Sequence, residues 1–273
     1  IFNLGGNVYA FDSTTIDLCL SVFWWAKFRK KKGGIKVHTL YDVETQIPAF
    51  FHITEASVHD SKVMIEIPYE PSSYYIFDRG YDNFKMLYKI HQIEAYFVVR
   101  AKKNLGYKSI QWKRRLPKNV LSDASVLLTG FYPKQYYPEP LRLVKYWDEE
   151  QEREFTFITN AMHISALQVA ELYKNRWQVE LFFKWLKQYL KIKRFWGTTE
   201  NAVRIQIYAA ICAYCLVAII QHDMQLNRST YEVLQILSIS LTDKTHLRDL
   251  FDKTKFQNDK ERFGPNGPSL FNF

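Results

Sequence analysis

Residues 173–187 read YKNRWQVELFFKWLK, and their spacing is the most informative pattern in the chain. On a helix each residue advances by about 100°, and most of the circumference of this segment is apolar. One acid among several cations on the remaining stripe fits a carboxylate metal ligand flanked by phosphate-binding groups. The alternative is a ladder of surface ion pairs at i,i+4 spacing. Six polar residues share an arc of about 80° on this helix: Tyr173, Arg176, Glu180, Lys184, Lys187 and Lys191.

Two further acids follow short apolar runs that are typical of buried strands. Asp12 comes directly after Val8–Phe11, and Asp78 comes directly after Tyr74–Phe77. We expect each acid to end its strand and to be held by rigid backbone at the rim of a sheet, where metals or substrates are bound. The alternative for each is an aspartate that only caps the following turn.

These residues resemble the three acidic motifs of the IS4 family of DDE transposases. Asp12 lies in AFDSTTI and Asp78 lies in IFDRGY. The resemblance extends from Val8 to about Gln221. It implies an α/β fold, an RNase H-like mixed sheet flanked by helices, with a β-rich insertion before the last catalytic helix. Four residues match Y-x2-R-x3-E-x6-K, the YREK signature of that family: Tyr173, Arg176, Glu180 and Lys187.

The resemblance also implies a function, that of an insertion-sequence DNA transposase which cleaves DNA and transfers strands. The catalytic residues and metal ligands would be Asp12, Asp78 and Glu180, with Asp12 bridging two Mg²⁺ ions for which Mn²⁺ could substitute. The expected partner is double-stranded DNA, both transposon ends and target, bound by a homodimer. Two alternatives stay open, an RNase H-like nuclease without strand transfer and a catalytically silent DNA-binding remnant. The residues expected to bind DNA are Tyr173, Arg176, Lys184 and Lys187.

The order of predicted elements suggests how the chain is organised. Residues 1–101 are predicted to form the first part of the catalytic core, 102–154 the β-rich insertion, 155–225 the second part with the YREK helix, and 226–273 a helical tail. Gly33 and Gly34 are expected to lie between strands, and His59-Asp60 either starts a helix or lies near the metals. The chain begins with Ile1 rather than Met, so we expect an N-terminal part, including a DNA-end-binding region, to be missing.

Composition and charge agree with this interpretation. The chain of 273 residues is 47% hydrophobic and 24% charged, which excludes a disordered protein. Its longest apolar run, Ile207 to Ile220, is shorter than the ~18 residues that a membrane span needs, so we expect a cytoplasmic protein with no membrane partner. The net charge is +9, as expected for a protein that binds a polyanion. About half of the basic residues lie in three stretches without acids: Lys27–Lys36, Arg100–Lys118 and Lys184–Arg194.

Overall fold

The computed structural model describes residues 4–29, 32–189, 195–240, 244 and 246–253. These residues belong to two compact units, Ile1–Cys215 and Leu216–Phe273. Five of the basic residues in the predicted stretches lie outside the described residues: Lys30, Lys31, Lys191, Lys193 and Arg194.

The first unit is built on one mixed sheet of ten strands, as the sequence predicted. Their order in the sheet is β2-β3-β1-β5-β6-β10-β9-β8-β7, and β4 pairs with β3 beside β2. β1, β5 and β6 are parallel to one another, whereas the other pairs are antiparallel. The strands are β1 (Val8–Leu18), β2 (Lys27–Arg29), β3 (Lys32–Asp42), β4 (Pro48–Glu55), β5 (Tyr74–Phe77), β6 (Tyr96–Arg100), β7 (Tyr107–Trp112), β8 (Val120–Leu128), β9 (Leu141–Asp148) and β10 (Arg153–Thr159).

Helices cover both faces of this sheet. Phe11 packs on one face against Phe77 and Tyr81, in a core that also includes α1. Tyr41 packs on the other face against Phe182 of α4. A 3-10 helix covers Asp60–Glu66, and a shorter one covers Arg79–Tyr81. The α-helices of this unit are α1 (Phe84–Gln92), α2 (Phe131–Tyr136), α3 (Ala166–Lys174), α4 (Trp177–Tyr189) and the first part of α5 (Glu200–Asp223).

The first strand is longer than the sequence suggested. We expected it to end before Asp12, but β1 continues to Leu18 because β3 pairs with it throughout. Only the parallel pairing with β5 stops, at Phe11 opposite Phe77. Asp12 therefore lies inside a strand, at the point where the strand loses one of its two neighbours.

Gly33 and Gly34 do not separate two strands, as we expected, but lie within β3. A Cβ atom on Gly33 would come within 3.0 Å of the carbonyl oxygen of Leu18, and one on Gly34 within 3.2 Å of that of Ile16. The two glycines thus allow close approach of neighbouring backbone, which a sequence pattern cannot distinguish from a turn.

The segment predicted as a β-rich insertion continues the main sheet instead of projecting from it. Its strand β9 pairs with β10, and β8 and β7 follow outward to the edge. A buried ion pair joins β8 to β9, because both nitrogens of the Arg142 fork lie 2.7 Å from the carboxylate oxygens of Asp123. Arg142 also donates to the carbonyl oxygens of Ala161 and Ile164, just before α3. These bonds fix the start of α3 against the sheet.

One helix in the described part of the chain, α5, is long and apolar enough to cross a membrane, with a mean hydropathy of 2.0 over its most apolar window. Core helices of soluble proteins also meet this criterion. One side of α5, with Val203, Ile207 and Ile211, is buried in the first unit, and 33% of its most apolar window is buried.

The second unit contains the end of α5, α6 (Thr230–Ser240) and α7 (Leu247–Lys253). Its small core consists of Val217, Val233, Ile236 and Phe251.

We expect Asp123→Ala to lower the free energy of unfolding by about 3 to 5 kcal/mol, because it leaves the buried charge of Arg142 without a partner. Lys113 also contacts Asp123, at 3.2 Å, but is 56% exposed, so Lys113→Ala is a matched control that should cost less than about 1 kcal/mol. Urea unfolding of both variants measures the difference. Equal losses would show that the Arg142 pair does not anchor this part of the sheet.

Candidate active site

Two of the predicted acids lie side by side because of strand register. Phe11 of β1 pairs with Phe77 of β5, and Asp12 and Asp78 are the next residues of the two strands. Successive side chains of a strand point to opposite faces, so both carboxylates lie on the face that α4 covers. Arg100 has the corresponding position on β6, because it follows Val99, which pairs with Phe77.

The third acid, Glu180, lies on α4. We predicted a single helix across residues 173–187, but two helices cover this segment. α3 ends at Lys174 and α4 begins at Trp177. The amide of Asn175 donates to the carbonyl oxygen of Glu171 at 2.8 Å and accepts from Gln178 at 2.9 Å. These side-chain bonds add to backbone bonds that close tight turns at the joint, from the amides of Arg176 and Gln178 to the carbonyl oxygens of Tyr173 and Asn175 at 3.1 Å each. The predicted arc of polar residues therefore applies to the residues of α4 but does not extend back to Tyr173 on α3. Arg176 lies between the two helices.

Arg176 connects two of the three acids directly. Its Nη1 donates to Oδ2 of Asp12 at 2.6 Å, and its Nη2 donates to Oε1 of Glu180 at 2.5 Å. The third acid, Asp78, accepts a hydrogen bond of 2.9 Å from the hydroxyl of Tyr173. The structure thus brings together all three predicted acids, and each is bonded to a residue of the Y-x2-R-x3-E-x6-K pattern.

Burial and charge shift the pKa values of these groups. Burial raises the pKa of Asp12 to about 6; Arg176 and the amide of Ser13 oppose the rise, whereas Glu180 and Asp78 add to it. Burial alone would lower the pKa of Arg176, but Asp12, Tyr173 and Glu180 raise it well above its usual value. Arg176 therefore stays charged beside an aspartate that titrates near neutral pH.

The two predicted lysines lie on the same helix face as Glu180. Nζ of Lys187 donates to the carbonyl oxygen of Thr15 at 2.9 Å, which holds α4 against β1. Lys184 is exposed. An open cavity of about 660 Å³ contains both lysines and is lined by Asp12, Ser13, Thr14, Glu180, Phe183, Lys184, Lys187 and Gln188.

A second cavity, of about 760 Å³, lies on the other side of Arg176 and contains functional candidates that the sequence did not single out. Arg100 and Arg153 both approach the ring of Phe155, with guanidinium carbons 4.9 Å and 4.4 Å from its centroid. Tyr173 and Arg176 also line this cavity. The position of Arg100, at the end of the strand next to β5, is a signal that could have identified it.

The donor set of the three acids fits a hard divalent cation, because Mg²⁺ and Mn²⁺ prefer carboxylate oxygens. Among the described residues, no three His, Cys, Asp or Glu side chains are grouped closely enough to hold a metal ion. The physical reason is that the guanidinium of Arg176 lies between Asp12 and Glu180. A protein cation neutralises the two acids in this arrangement.

Comparison with known proteins identifies the family. Residues 3–216 match the family model described as the transposase DDE domain. The chain belongs to this family. The predicted class of function, a DNA transposase, is confirmed at the level of the family, whose members cleave DNA and transfer strands with the help of divalent metal ions.

The names of similar proteins agree with this assignment. A Sinorhizobium fredii protein named "Putative transposase y4zB" is 36% identical over 246 residues, which are 88% of this chain and 67% of the relative. A Geobacillus stearothermophilus protein named "Probable transposase for insertion sequence element IS5377" is 31% identical over 205 residues, 75% of this chain and 54% of the relative. The chain thus spans about half to two thirds of the length of these relatives.

A solved structure confirms the predicted fold class. The synaptic complex of piggyBac transposase with hairpin DNA has a chain that superposes with a TM-score of 0.53 at 12% identity, covering 93% of this chain and 56% of the other. At this identity the likeness concerns the fold, which is RNase H-like. The predicted mixed sheet flanked by helices is therefore correct, while membership of the IS4 family stays a prediction.

The raised pKa of Asp12 gives a testable dependence of stability on pH. An aspartate has a pKa near 3.9 when unfolded, so between about pH 4 and pH 6 the folded state of this chain binds more protons at Asp12. By linkage, this residue then destabilises the fold as pH rises through that range. Asp12→Asn should become more stable relative to the wild type, by on the order of 2 to 3 kcal/mol, between pH 4 and pH 7.

Urea unfolding at several pH values measures this change. Asp17→Asn is the control, because Asp17 is an exposed acid on the same strand. A constant difference between Asp12→Asn and wild type across the range would mean that burial does not raise the pKa of Asp12.

Proposed function

We propose that this DDE domain cuts DNA and joins the cut strand to a second DNA duplex, with Asp12, Asp78 and Glu180 as the catalytic triad. The observation that supports the proposal is that three acids from β1, β5 and α4 are bonded to neighbouring residues of the joint between α3 and α4: Arg176 donates to Asp12 at 2.6 Å and to Glu180 at 2.5 Å, and Tyr173 donates to Asp78 at 2.9 Å. The acids are separated widely in sequence, and a merely structural ion pair would not need all three.

The triad would hold two Mg²⁺ ions, with Asp12 shared between them and Asp78 and Glu180 completing one side each; Mn²⁺ would serve as well. When bound, such a pair makes an attacking water or 3′-hydroxyl more acidic and neutralises charge on the leaving oxygen. Because only the attacking oxygen differs, the same site serves hydrolysis and strand transfer.

The remaining residues of the signature would position the site and bind DNA. Tyr173 would orient Asp78 through the hydrogen bond that its hydroxyl donates. Burial, and to a smaller extent the negative charge of Asp78, raises the pKa of Tyr173 to about 12. The tyrosine therefore keeps its proton and remains a donor. Lys184 and Lys187 line the cavity beside Glu180, where they would bind phosphates of the backbone next to the scissile bond.

Arg176 would have two successive roles. It neutralises Asp12 and Glu180 before metal is bound, and it would leave them when the carboxylates take up cations. A guanidinium presents a planar fork that suits phosphate as well as carboxylate. Arg176 lines the larger cavity, and the two acids that it contacts line the other, so a rotation of its side chain would bring it to a phosphate bound there. Arg176 would then exchange its carboxylate partners for a phosphate, so that its charge is not left buried and unpaired.

The wider expectations from the sequence belong to the same proposal. The substrate would be double-stranded DNA at transposon ends and target sites, bound by a homodimer in the cytoplasm, and the closest group would be the IS4 family. The functional segments would be those predicted, 1–101, 102–154, 155–225 and 226–273, although the strands of 102–154 belong to the main sheet.

Strand joining separates this function from that of a nuclease. The assay incubates the chain with Mn²⁺, a labelled duplex ending in a 3′-hydroxyl, and a supercoiled plasmid, and it measures both nicking and the transfer of label to the plasmid. We expect both products from the wild type. Nicking without transfer would support the nuclease alternative, and DNA binding with neither product would support a silent remnant.

Glu180→Gln tests the triad in the same assay. We expect nicking to fall at least ~100-fold, because the amide removes an anionic ligand that the metal needs, while DNA affinity stays the same or increases because a negative charge near phosphate is lost. Glu66→Gln is the matched control, since Glu66 is an exposed glutamate at the end of the 3-10 helix and should have full activity.

The surface ion-pair alternative predicts a different result for this variant. If Glu180 only pairs with Arg176, Glu180→Gln should cost about 0.3 to 0.5 kcal/mol of stability and retain its activity. A fully active Glu180→Gln would therefore remove Glu180 from the triad.

A further inference from the structure

A second polar cluster lies on the face of the sheet opposite the three acids. Its centre is Asp60, the first residue of the 3-10 helix Asp60–Glu66. Oδ1 of Asp60 accepts a hydrogen bond of 2.8 Å from the hydroxyl of Ser13 and lies 3.0 Å from Nζ of Lys36. Lys36 is only 14% exposed, so this is an anchored contact between the 3-10 helix and two strands, β1 and β3.

Ser13 relates this cluster to Asp12. The backbone amide of Ser13 donates to Oδ1 of Asp12 at 2.8 Å, while Arg176 contacts the other oxygen, Oδ2. Adjacent residues of a strand point to opposite faces, so the hydroxyl of Ser13 reaches Asp60 on one face while its amide holds the carboxylate of Asp12 on the other. A single residue, Ser13, is thus bonded to both Asp60 and Asp12.

The strand needs such an anchor at this position. β1 pairs with β5 only as far as Phe11, so from Asp12 onward β3 is the strand that holds it in the sheet. The Ser13–Asp60 bond fixes β1 at the first residue after Asp12. It lies where a shift of the backbone would change the direction of the Asp12 carboxylate.

The charge of the cluster is balanced by Lys36. His38 lies 3.8 Å from Asp60, but burial lowers its pKa to about 4, so at neutral pH it is uncharged. Lys36 supplies the positive charge, and it also donates to the carbonyl oxygen of Val58 at 2.8 Å, just before the 3-10 helix. Lys36 of β3 therefore holds Asp60 in place. Asp60 accepts a hydrogen bond from Ser13, whose amide donates to Asp12.

We propose that Asp60 is a positioning residue for Asp12: through Ser13 it holds the Asp12 carboxylate in the orientation that binds a divalent metal. This inference rests on the proposed function, in which Asp12 is a metal ligand. It assigns a role to the acid of the His59-Asp60 pair, for which the sequence pattern favoured a helix start; Asp60 does begin the 3-10 helix. Groups that orient a metal ligand affect metal affinity by about 10- to 100-fold when removed.

The test is a titration of the DNA-free chain with Mn²⁺ at pH 8, followed by electron paramagnetic resonance of the free ion. Asp12→Asn defines the binding that depends on Asp12. We expect Ser13→Ala and Asp60→Ala each to weaken this binding about 10-fold, and the double variant to be no weaker than either single one, because both remove the same bond. Ser13→Thr retains the hydroxyl and should bind within about twofold of wild type.

Asp17→Asn, on the exposed part of β1, is the control for the loss of an acid and should bind as wild type does. Melting temperatures of all variants are measured in parallel. If Asp60 has only a structural role, Asp60→Ala should melt at a lower temperature and Ser13→Ala should bind Mn²⁺ as wild type does. That result would overturn the inference. The Ser13→Ala measurement decides the question even if Asp60→Ala does not fold.

Two other outcomes are also decisive. Additive losses in the double variant would mean that Asp60 does not act through Ser13 and would overturn the proposal. Equal Mn²⁺ binding by wild type and Asp12→Asn would overturn the role of Asp12 in the proposed function, and this inference with it. Asp12-dependent binding that is insensitive to Ser13→Ala would overturn this inference alone.

Discussion

The parallel pairing of β1 with β5 is the constraint on which the site depends. It ends at Phe11 opposite Phe77, so the next residue of each strand, Asp12 and Asp78, lies beside the other on one face of the sheet. A shift of one residue in this register would move one carboxylate to the opposite face. The aromatic contact between Phe11 and Phe77 and the buried β5 therefore stabilise the geometry of the site as well as the core.

Arg176 explains how Asp12 and Glu180 can lie close together without a metal ion. Burial makes the Asp12 carboxyl less willing to ionise. The guanidinium between Asp12 and Glu180 opposes this effect, but burial still raises the pKa of Asp12. The break between α3 and α4 at Asn175 puts Arg176 at the joint, where its position does not depend on the periodicity of either helix. Arg176 thus stabilises the two acids without a metal ion. In the proposed function, divalent cations would take its place beside them.

Much of this was predictable from the sequence, and the failures have identifiable causes. The run Tyr74–Phe77 was correctly predicted as a strand because all four of its residues are buried. The motifs around Asp12 and Asp78, together with the spacing from Tyr173 to Lys187, indicated a DDE transposase, and the family match confirms that class. The extension of β1 past Asp12 was missed because Ser13, Thr14 and Thr15 are polar on a strand whose pairing with β3 no local pattern reveals. The helix break was missed because Asn175 is compatible with a helix interior. Asp60 needed the fold, since its contacts with Ser13 and Lys36 join segments that are 47 and 24 residues away.

The most direct test of the account is a crystal structure of the chain with Mn²⁺, in which anomalous scattering locates the ions. The account predicts two ions about 3.5 to 4 Å apart, in contact with the carboxylates of Asp12, Asp78 and Glu180, and a guanidinium of Arg176 that has moved away from both acids. Manganese bound elsewhere, with Arg176 still bonded to Asp12 and Glu180, would contradict it.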